Sequence, residues 1–105
     1  MAYIPGNGVN EILTKVQTAL RMKSGAFDTD INDLIAAAVL DLETAGIPVI
    51  FDDSNSCDPL LTQAIKLYCR SYFGEGENAE RYLRCYDMLK SSLMLSGEYN
   101  GSSIT

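Results

Sequence analysis

The residue types that most often carry out chemistry in proteins are sparse in this chain. The sequence contains no histidine, which is the most frequent general base and the most frequent metal ligand in proteins. A serine or cysteine nucleophile activated by histidine is therefore excluded. Zinc would need four ligands drawn from three scattered cysteines and from carboxylates, and no CxxC spacing is present. The sequence predicts no enzyme, no cofactor and no metal site.

Two segments fit ligand-binding motifs only in part. Residues 28–32 place oxygen donors as a calcium loop does, but that loop requires glycine where Asp33 stands and glutamate where Val39 stands. Residues 74–79 have the spacing of a dinucleotide-binding turn. That turn must follow a strand, whereas a helical pattern precedes it here, and two glutamates would repel a phosphate. Helix caps and turns explain both segments better.

The distribution of charge argues against a nucleic-acid clamp. The net charge is −6, and residues 26–58 carry eight acidic side chains and no basic one. A polyanion would be repelled by this acidic block. Four tyrosines could stack on bases, but they fall at helical spacing on apolar stripes, which favours the core or an interface. These are Tyr68, Tyr72, Tyr82 and Tyr86.

Apolar residues recur with the 3.6-residue period of helices in four segments. The sequence therefore predicts an all-α fold, a small bundle of about four helices, with residues 1–105 in a single domain. A polar, glycine-containing tail at residues 97–105 is expected to be mobile. The predicted helices span residues 10–23, 28–45, 59–73 and 78–95.

Capping residues mark the boundaries of these predicted helices. Gly25 follows the first helix, and Asp28 or Thr29 caps the second. Asp58 followed by Pro59 is the clearest local signal, because it places an N-cap residue directly before proline at the first helical position.

The second predicted helix, which Gly46 ends, is apolar over most of its circumference. A regular apolar stripe is widened by four further residues, Ala36, Ala37, Val39 and Leu40. A helix that is apolar nearly all round usually lies at the centre of a bundle. We therefore expect this helix to be the central one.

The connection between the second and third helices is irregular or extended. Residues 47–51 form a short, apolar, β-branched run, and residues 52–56 have the composition of a turn. Pro48 lacks a backbone donor, so any strand here would lie at an edge or stand alone. An apolar segment tethered between helices either tucks under them or waits for a partner.

The outer face of the fourth predicted helix carries pairs of opposite charge. Glu77 precedes Arg81 by four residues, and Glu80 precedes Arg84 in the same way. Such pairs stabilise a helix by about 0.3 kcal/mol each. They predict that this face is turned away from the core.

Composition also constrains the cellular compartment. The longest apolar run, residues 34–40, is far too short to span a membrane. No charged segment followed by an apolar one opens the chain, which indicates no export signal. The three cysteines, Cys57, Cys69 and Cys85, are odd in number and form no CxxC pair, which is typical of reduced intracellular thiols.

Short motifs follow one another in a characteristic order from about Leu13 to Tyr99. The first half contains Ala19-Leu20-Arg21, Phe27-Asp28 through Ile31, Asp33-Leu34-Ile35, Asp41-Leu42 and Ala45-Gly46-Ile47. The second half contains Asp58-Pro59-Leu60, Ala64-Ile65, Tyr68, Phe73-Gly74, Glu80-Arg81, Tyr86, Leu89, Leu93 and Ser96-Gly97-Glu98-Tyr99. In this order and spacing they resemble the head–tail connector proteins of long-tailed bacteriophages, a family of adaptor, head-completion and DNA-packaging proteins.

The resemblance implies a small helical protomer that forms a ring beneath the portal, in the neck of the virion, after synthesis in the bacterial cytoplasm. Such a ring extends the DNA channel, through which DNA passes without specific binding. It is also the platform for a downstream head-completion or tail protein. The implied partners are further copies of this chain, the portal and that downstream protein, with no membrane, catalytic residue or cofactor involved.

The resemblance assigns a hypothetical subunit interface to the apolar connection. Its residues are Ile47, Val49, Ile50 and Phe51. If this segment waits for a partner, replacing Phe51 by serine leaves the protomer folded and abolishes assembly.

Two further hypotheses concern charged and terminal residues. Asp52 and Asp53 would face the channel, where negative charge lets DNA slide without sticking. The tail would dock on the portal through Glu98, Tyr99 and Ile104.

A second interpretation, of a different class, stays open. The chain could instead be a small helical regulatory or host-protein-binding module of phage or bacterial origin. Assembly into rings supports the connector, whereas a persistent monomer that binds a host factor supports the regulator.

Overall fold

The computed structural model describes residues 3, 10–22, 27–73 and 77–95. This part of the chain folds into helices joined by irregular connections and contains no strand, so the all-α prediction is confirmed. The predicted tail at residues 97–105 lies outside the described residues. The helices are α1 (Glu11–Ala19), α2 (Asp28–Thr44), α3 (Pro59–Phe73) and α4 (Glu77–Leu95).

Helix α1 ends earlier than predicted, before Gly25, which lies outside the described residues. Arg21 adopts a left-handed φ of 59°, and its N–H donates to the Thr18 carbonyl at 3.1 Å. The Met22 N–H donates to the Gln17 carbonyl at 2.9 Å. These two bonds make a Schellman motif, whose left-handed position is usually glycine. The prediction places the end of the helix just before Gly25. It is wrong because Arg21 already adopts the left-handed conformation that glycine more often adopts at a helix end.

Helix α2 begins at residue 28, as predicted, but its predicted cap is wrong. The residue before the helix is Phe27, which has a left-handed φ of 56° and provides no side-chain cap. Asp28 is the first helical residue, and its carboxylate accepts a hydrogen bond from Gln17 Nε2 at 2.5 Å. The predicted capping acid therefore ties α1 to α2 instead of capping its own helix.

Two predicted helix boundaries are confirmed. Helix α2 is followed by a left-handed Gly46 (φ 91°), and the Ile47 N–H donates to the Leu42 carbonyl at 2.9 Å, as in a Schellman motif. At the start of α3, the Asp58 carboxylate accepts a hydrogen bond from the Leu60 N–H at 2.8 Å. This is the expected N-cap geometry.

Helix α3 lies at the centre of the bundle because it packs against each of the other three helices. The prediction that the second helix is central is wrong, because Ala36 is exposed and the Leu40 side chain is 65% exposed. An apolar circumference permits a central position but does not provide the neighbours that would cover every face. The core consists of Ile12, Val16, Ile31, Ile35, Ala38, Leu42, Ile47, Val49, Phe51, Leu61, Ala64, Ile65, Cys69, Tyr86 and Leu93.

A polar contact joins α2 to α4 at the edge of this core. Tyr86 is only 1% exposed, and its hydroxyl donates to Asp41 Oδ2 at 2.5 Å. Lys90 Nζ donates to the same oxygen at 3.0 Å. The ring of Tyr68 in α3 packs edge-on against Tyr86 with 5.3 Å between centroids. Burial raises the pKa of Tyr86, so its hydroxyl keeps the proton that it donates.

The Asp41 carboxylate is expected to make the fold sensitive to acid. Partial burial raises the pKa of Asp41, but hydrogen bonds from Tyr86 and Lys90 lower it by more, so the pKa lies below its ordinary value of 3.8. A carboxylate of this kind stabilises the fold above its unfolded-state pKa, and the contribution disappears as the pH falls through the folded-state pKa. We expect the thermal unfolding temperature to decrease when the pH is lowered below about 4.

Replacing Asp41 by asparagine should flatten this acid dependence, measured by circular dichroism melts at a series of pH values from neutral to well below the ordinary pKa of a carboxyl group. Asp30→Asn removes an exposed carboxylate from the same helix and is the matched control. It should keep the acid profile of the wild-type chain. An identical profile for wild type and Asp41→Asn would contradict the assignment.

Candidate interaction surfaces

The connection between α2 and α3 packs into the protomer with alternate side chains. Ile47, Val49 and Phe51 are 0%, 5% and 1% exposed, whereas Ile50 is 67% exposed and Pro48 is also exposed. This period of two is that of an extended chain with one buried face. The Phe51 ring lies 5.2 Å, centroid to centroid, from the ring of Tyr3. The segment therefore completes the core of its own protomer.

The turn after Phe51 caps the first helix. The N–H of Glu11 donates to the Ser54 carbonyl, and the N–H of Ile12 donates to the Asn55 carbonyl, both at 2.9 Å. The first N–H groups of any helix have no partner within the helix itself. The turn supplies partners for two of them, and the Asn10 side chain supplies another by accepting from the Leu13 N–H at 3.1 Å.

These contacts restrict the predicted subunit interface. Of its four residues, Ile47, Val49 and Phe51 lie in the core, and only Ile50 presents a largely exposed side chain to a neighbour. Burial of Phe51 also removes the basis for expecting the protomer to stay folded when serine replaces it. Three of the four residues therefore pack under the helices of their own protomer and do not wait for a partner.

Asp52 and Asp53 are both exposed but differ in their contacts. One oxygen of Asp52, Oδ1, accepts hydrogen bonds from the Ser54 N–H at 2.9 Å, the Ser54 hydroxyl at 3.2 Å and the Ser56 N–H at 3.0 Å. The bond from Ser56 is the main cause of the lowered pKa of Asp52. None of these hydrogen bonds involves Asp53, so Asp52 shapes the turn and Asp53 is the freer charge.

Replacing Asp52 by alanine should loosen the cap on α1. The turn loses three hydrogen bonds, so the amides of Glu11 and Ile12, which donate to its carbonyls, should exchange faster with deuterium. Asp53→Ala is the matched control and should leave the exchange of both amides unchanged. Equal protection in Asp52→Ala and wild type would show that the turn holds without this carboxylate.

A line of exposed residues runs along the outer side of α2. Asp33, Ala36, Leu40 and Glu43 are all exposed and are separated by three, four and three residues. This spacing places them in one stripe, directed away from the buried stripe of the same helix. We call these four residues the α2 stripe.

A second line of exposed residues runs along α4, separated alternately by three and four residues. Its members are Arg81, Arg84, Met88, Ser91 and Leu95, and all are exposed. Met88 is 72% and Leu95 is 87% exposed. We call these five residues the α4 stripe. Glu80 and Arg84 are not within ion-pair distance, whereas Lys90 and Asp41 form an ion pair at 3.0 Å.

An open cleft of about 320 Å³ lies where the ends of α1 and α3 meet the start of α4. Arg21, Arg70 and Tyr82 are among its lining residues. Arg70 Nη2 donates to the Tyr82 hydroxyl at 3.0 Å, and its guanidinium carbon lies 4.4 Å from the centroid of the Tyr82 ring. The described lining residues offer cationic donors and the Tyr82 hydroxyl, but no carboxylate and no thiol.

The described residues form no metal site and no membrane-spanning helix. No three potential metal ligands come together there, and none of the helices is long and apolar enough to cross a membrane. All three cysteines are free. Burial raises the pKa of the Cys69 thiol to about 12, so it stays protonated and packs as an apolar group.

The exposed apolar residues of the two stripes suit a protein that binds other proteins. Residues 12–100 match the family described as phage connector protein. The chain belongs to this family. The match includes nearly all of α1, all of α2, α3 and α4, and the connections between them. Neither a curated protein nor a solved structure matches the chain significantly.

As a phage connector, the chain has a structural role between head and tail and interacts with other head or tail proteins. The sequence predicts protein contacts at Ile47, Val49, Ile50 and Phe51 and at the tail, and it predicts that Asp52 and Asp53 face the channel. Glu98, Tyr99 and Ile104 of the tail lie outside the described residues. Neither stripe is predicted from the sequence, although Met88 and Leu95 lie seven residues apart, a spacing that places two side chains on the same face of a helix.

Proposed function

We propose that this connector is a structural component of the virion neck that assembles into a ring beneath the portal. The ring extends the DNA channel and forms the platform for a downstream head-completion or tail protein. The family match, which includes all or nearly all of each helix, carries this proposal. Large apolar side chains that the protomer leaves exposed on several elements support it, among them Leu40, Ile50, Met88 and Leu95.

In this ring the turn after Phe51 faces the channel. Asp53 is exposed and carries a charge of the same sign as DNA, so it repels the phosphates and lets DNA slide. Ile50, two residues before the turn, contacts the neighbouring subunit. The tail docks on the portal through Glu98, Tyr99 and Ile104.

Charge reversal at Asp53 tests the channel assignment. Asp53→Lys should reduce infectivity by about tenfold or more, because a ring of cations would hold the phosphates of passing DNA. Asp53→Asn removes the charge without reversing it and should have a smaller effect. Plaque titres are compared at equal particle number, and melting temperatures verify that both variants fold. Normal infectivity of Asp53→Lys would contradict a channel position.

Negative-stain images of the chain mixed with the portal of its phage test the main proposal. Rings of this chain on one end of the portal are expected. A variant that ends at residue 96 should fold normally and fail to bind the portal. If no ring of this chain is seen on the portal and the chain remains a monomer, the proposed connector role is wrong. Binding of that monomer to a host protein would then favour the regulatory interpretation.

A further inference from the structure

The two stripes have complementary charge. The α2 stripe begins with Asp33, ends with Glu43 and has Ala36 and Leu40 between them. It lies in the acidic part of the chain, residues 26–58, where no basic residue occurs. The α4 stripe has two arginines at one end and Met88 and Leu95 farther along. Each stripe therefore combines apolar contact area with charge of a single sign.

Both stripes have the spacing of helices that pack side by side. Intervals of three and four residues keep side chains on one face, and such faces interlock between neighbouring helices. Ala36 and Ser91 are small, which permits close approach of the two backbones. Within the protomer this approach is impossible, because α2 and α4 each direct the opposite face to the core through residues such as Ile35 and Tyr86.

Charge decides which stripe meets which. Two α2 stripes in contact would bring Asp33 and Glu43 of both copies together, and two α4 stripes would bring Arg81 and Arg84 together. Like charges at a contact cost free energy, whereas opposite charges favour both encounter and register. Glu80 and Asp87 are exposed on one flank of the α4 stripe, where they would repel the acidic α2 stripe, so the contact lies over the two arginines and the opposite flank.

We propose that the α2 stripe of one copy packs against the α4 stripe of the next copy, an inference that rests on the ring proposed above. Such a contact joins two different surfaces, so it leaves one free stripe at each end of a dimer and propagates until the ring closes. The end of the α2 stripe lies beside the connection between α2 and α3, because Glu43 and Pro48 line the same cleft.

Charge reversal on each stripe separately should block assembly. One variant carries Asp33→Lys with Glu43→Lys, and the other carries Arg81→Glu with Arg84→Glu. Each creates two stripes of like charge and should raise the concentration needed for ring formation by about tenfold or more. Asp30→Lys and Lys15→Glu change exposed charges outside the stripes and are the controls. Melting curves establish that all variants fold.

Combining all four reversals in one chain provides the decisive measurement. The α2 stripe is then basic and the α4 stripe acidic, so attraction is restored and rings should form again. Sedimentation velocity measures ring formation, with portal added if the wild-type chain needs it. If the wild-type chain forms no ring, the proposed function itself is refuted. Wild-type rings that are unaffected by either reversal, or not restored by the fourfold variant, would refute this contact and leave the ring proposal standing.

Discussion

Replacing Phe51 by alanine should lower the free energy of unfolding by about 3–5 kcal/mol, as truncation of a buried phenylalanine usually does. The side chain is 1% exposed and packs against the ring of Tyr3. A domain of this size has a total stability of about 5–15 kcal/mol. The variant should therefore unfold at a much lower denaturant concentration, measured by urea titration at neutral pH.

Ile50→Ala is the matched control, because Ile50 is adjacent in sequence but 67% exposed. Its free energy of unfolding should stay within about 0.5 kcal/mol of the wild-type value. A Phe51→Ala variant as stable as Ile50→Ala would mean that the connection does not pack into the protomer. Since Phe51→Ala acts on folding, any loss of ring formation in that variant says nothing about the subunit interface.

Truncation of Tyr86 should have an effect of similar size. Tyr86→Ala removes a ring that is 1% exposed and should cost about 3–5 kcal/mol of stability. Tyr86→Phe keeps the packing and removes only the hydroxyl that donates to Asp41. Its cost should be about 1 kcal/mol, because Asp41 keeps Lys90 as a partner and its side chain is 40% exposed to water.

A double-mutant cycle between Tyr86→Phe and Asp41→Ala isolates this hydrogen bond, because alanine has no side-chain acceptor for the hydroxyl. The two changes together should cost less than the sum of the single changes, because each one already breaks the same contact. Urea titration of the four proteins supplies the free energies. Strict additivity would show that the hydroxyl and the carboxylate do not stabilise each other.

The helices could be predicted from the sequence because their signals are local. The apolar period identifies each helix, and the caps at Gly46 and Asp58 involve residues at most five positions apart. The misplaced end of α1 and the wrongly predicted cap of α2 have a different origin. Arg21 and Phe27 adopt left-handed conformations that their residue types do not favour, and Asp28 bonds to Gln17 of another helix.

The sequence by itself determined the all-α class, the approximate positions of the helices and the membership of the connector family. Only the tertiary structure decided which apolar surfaces remain available to a partner. A periodic pattern shows that a face is apolar, but not whether a distant segment covers it. Phe51 is buried in the core and contacts the ring of Tyr3, whereas none of the described residues covers Leu40, which is 65% exposed. Such long-range contacts leave no local trace in the sequence.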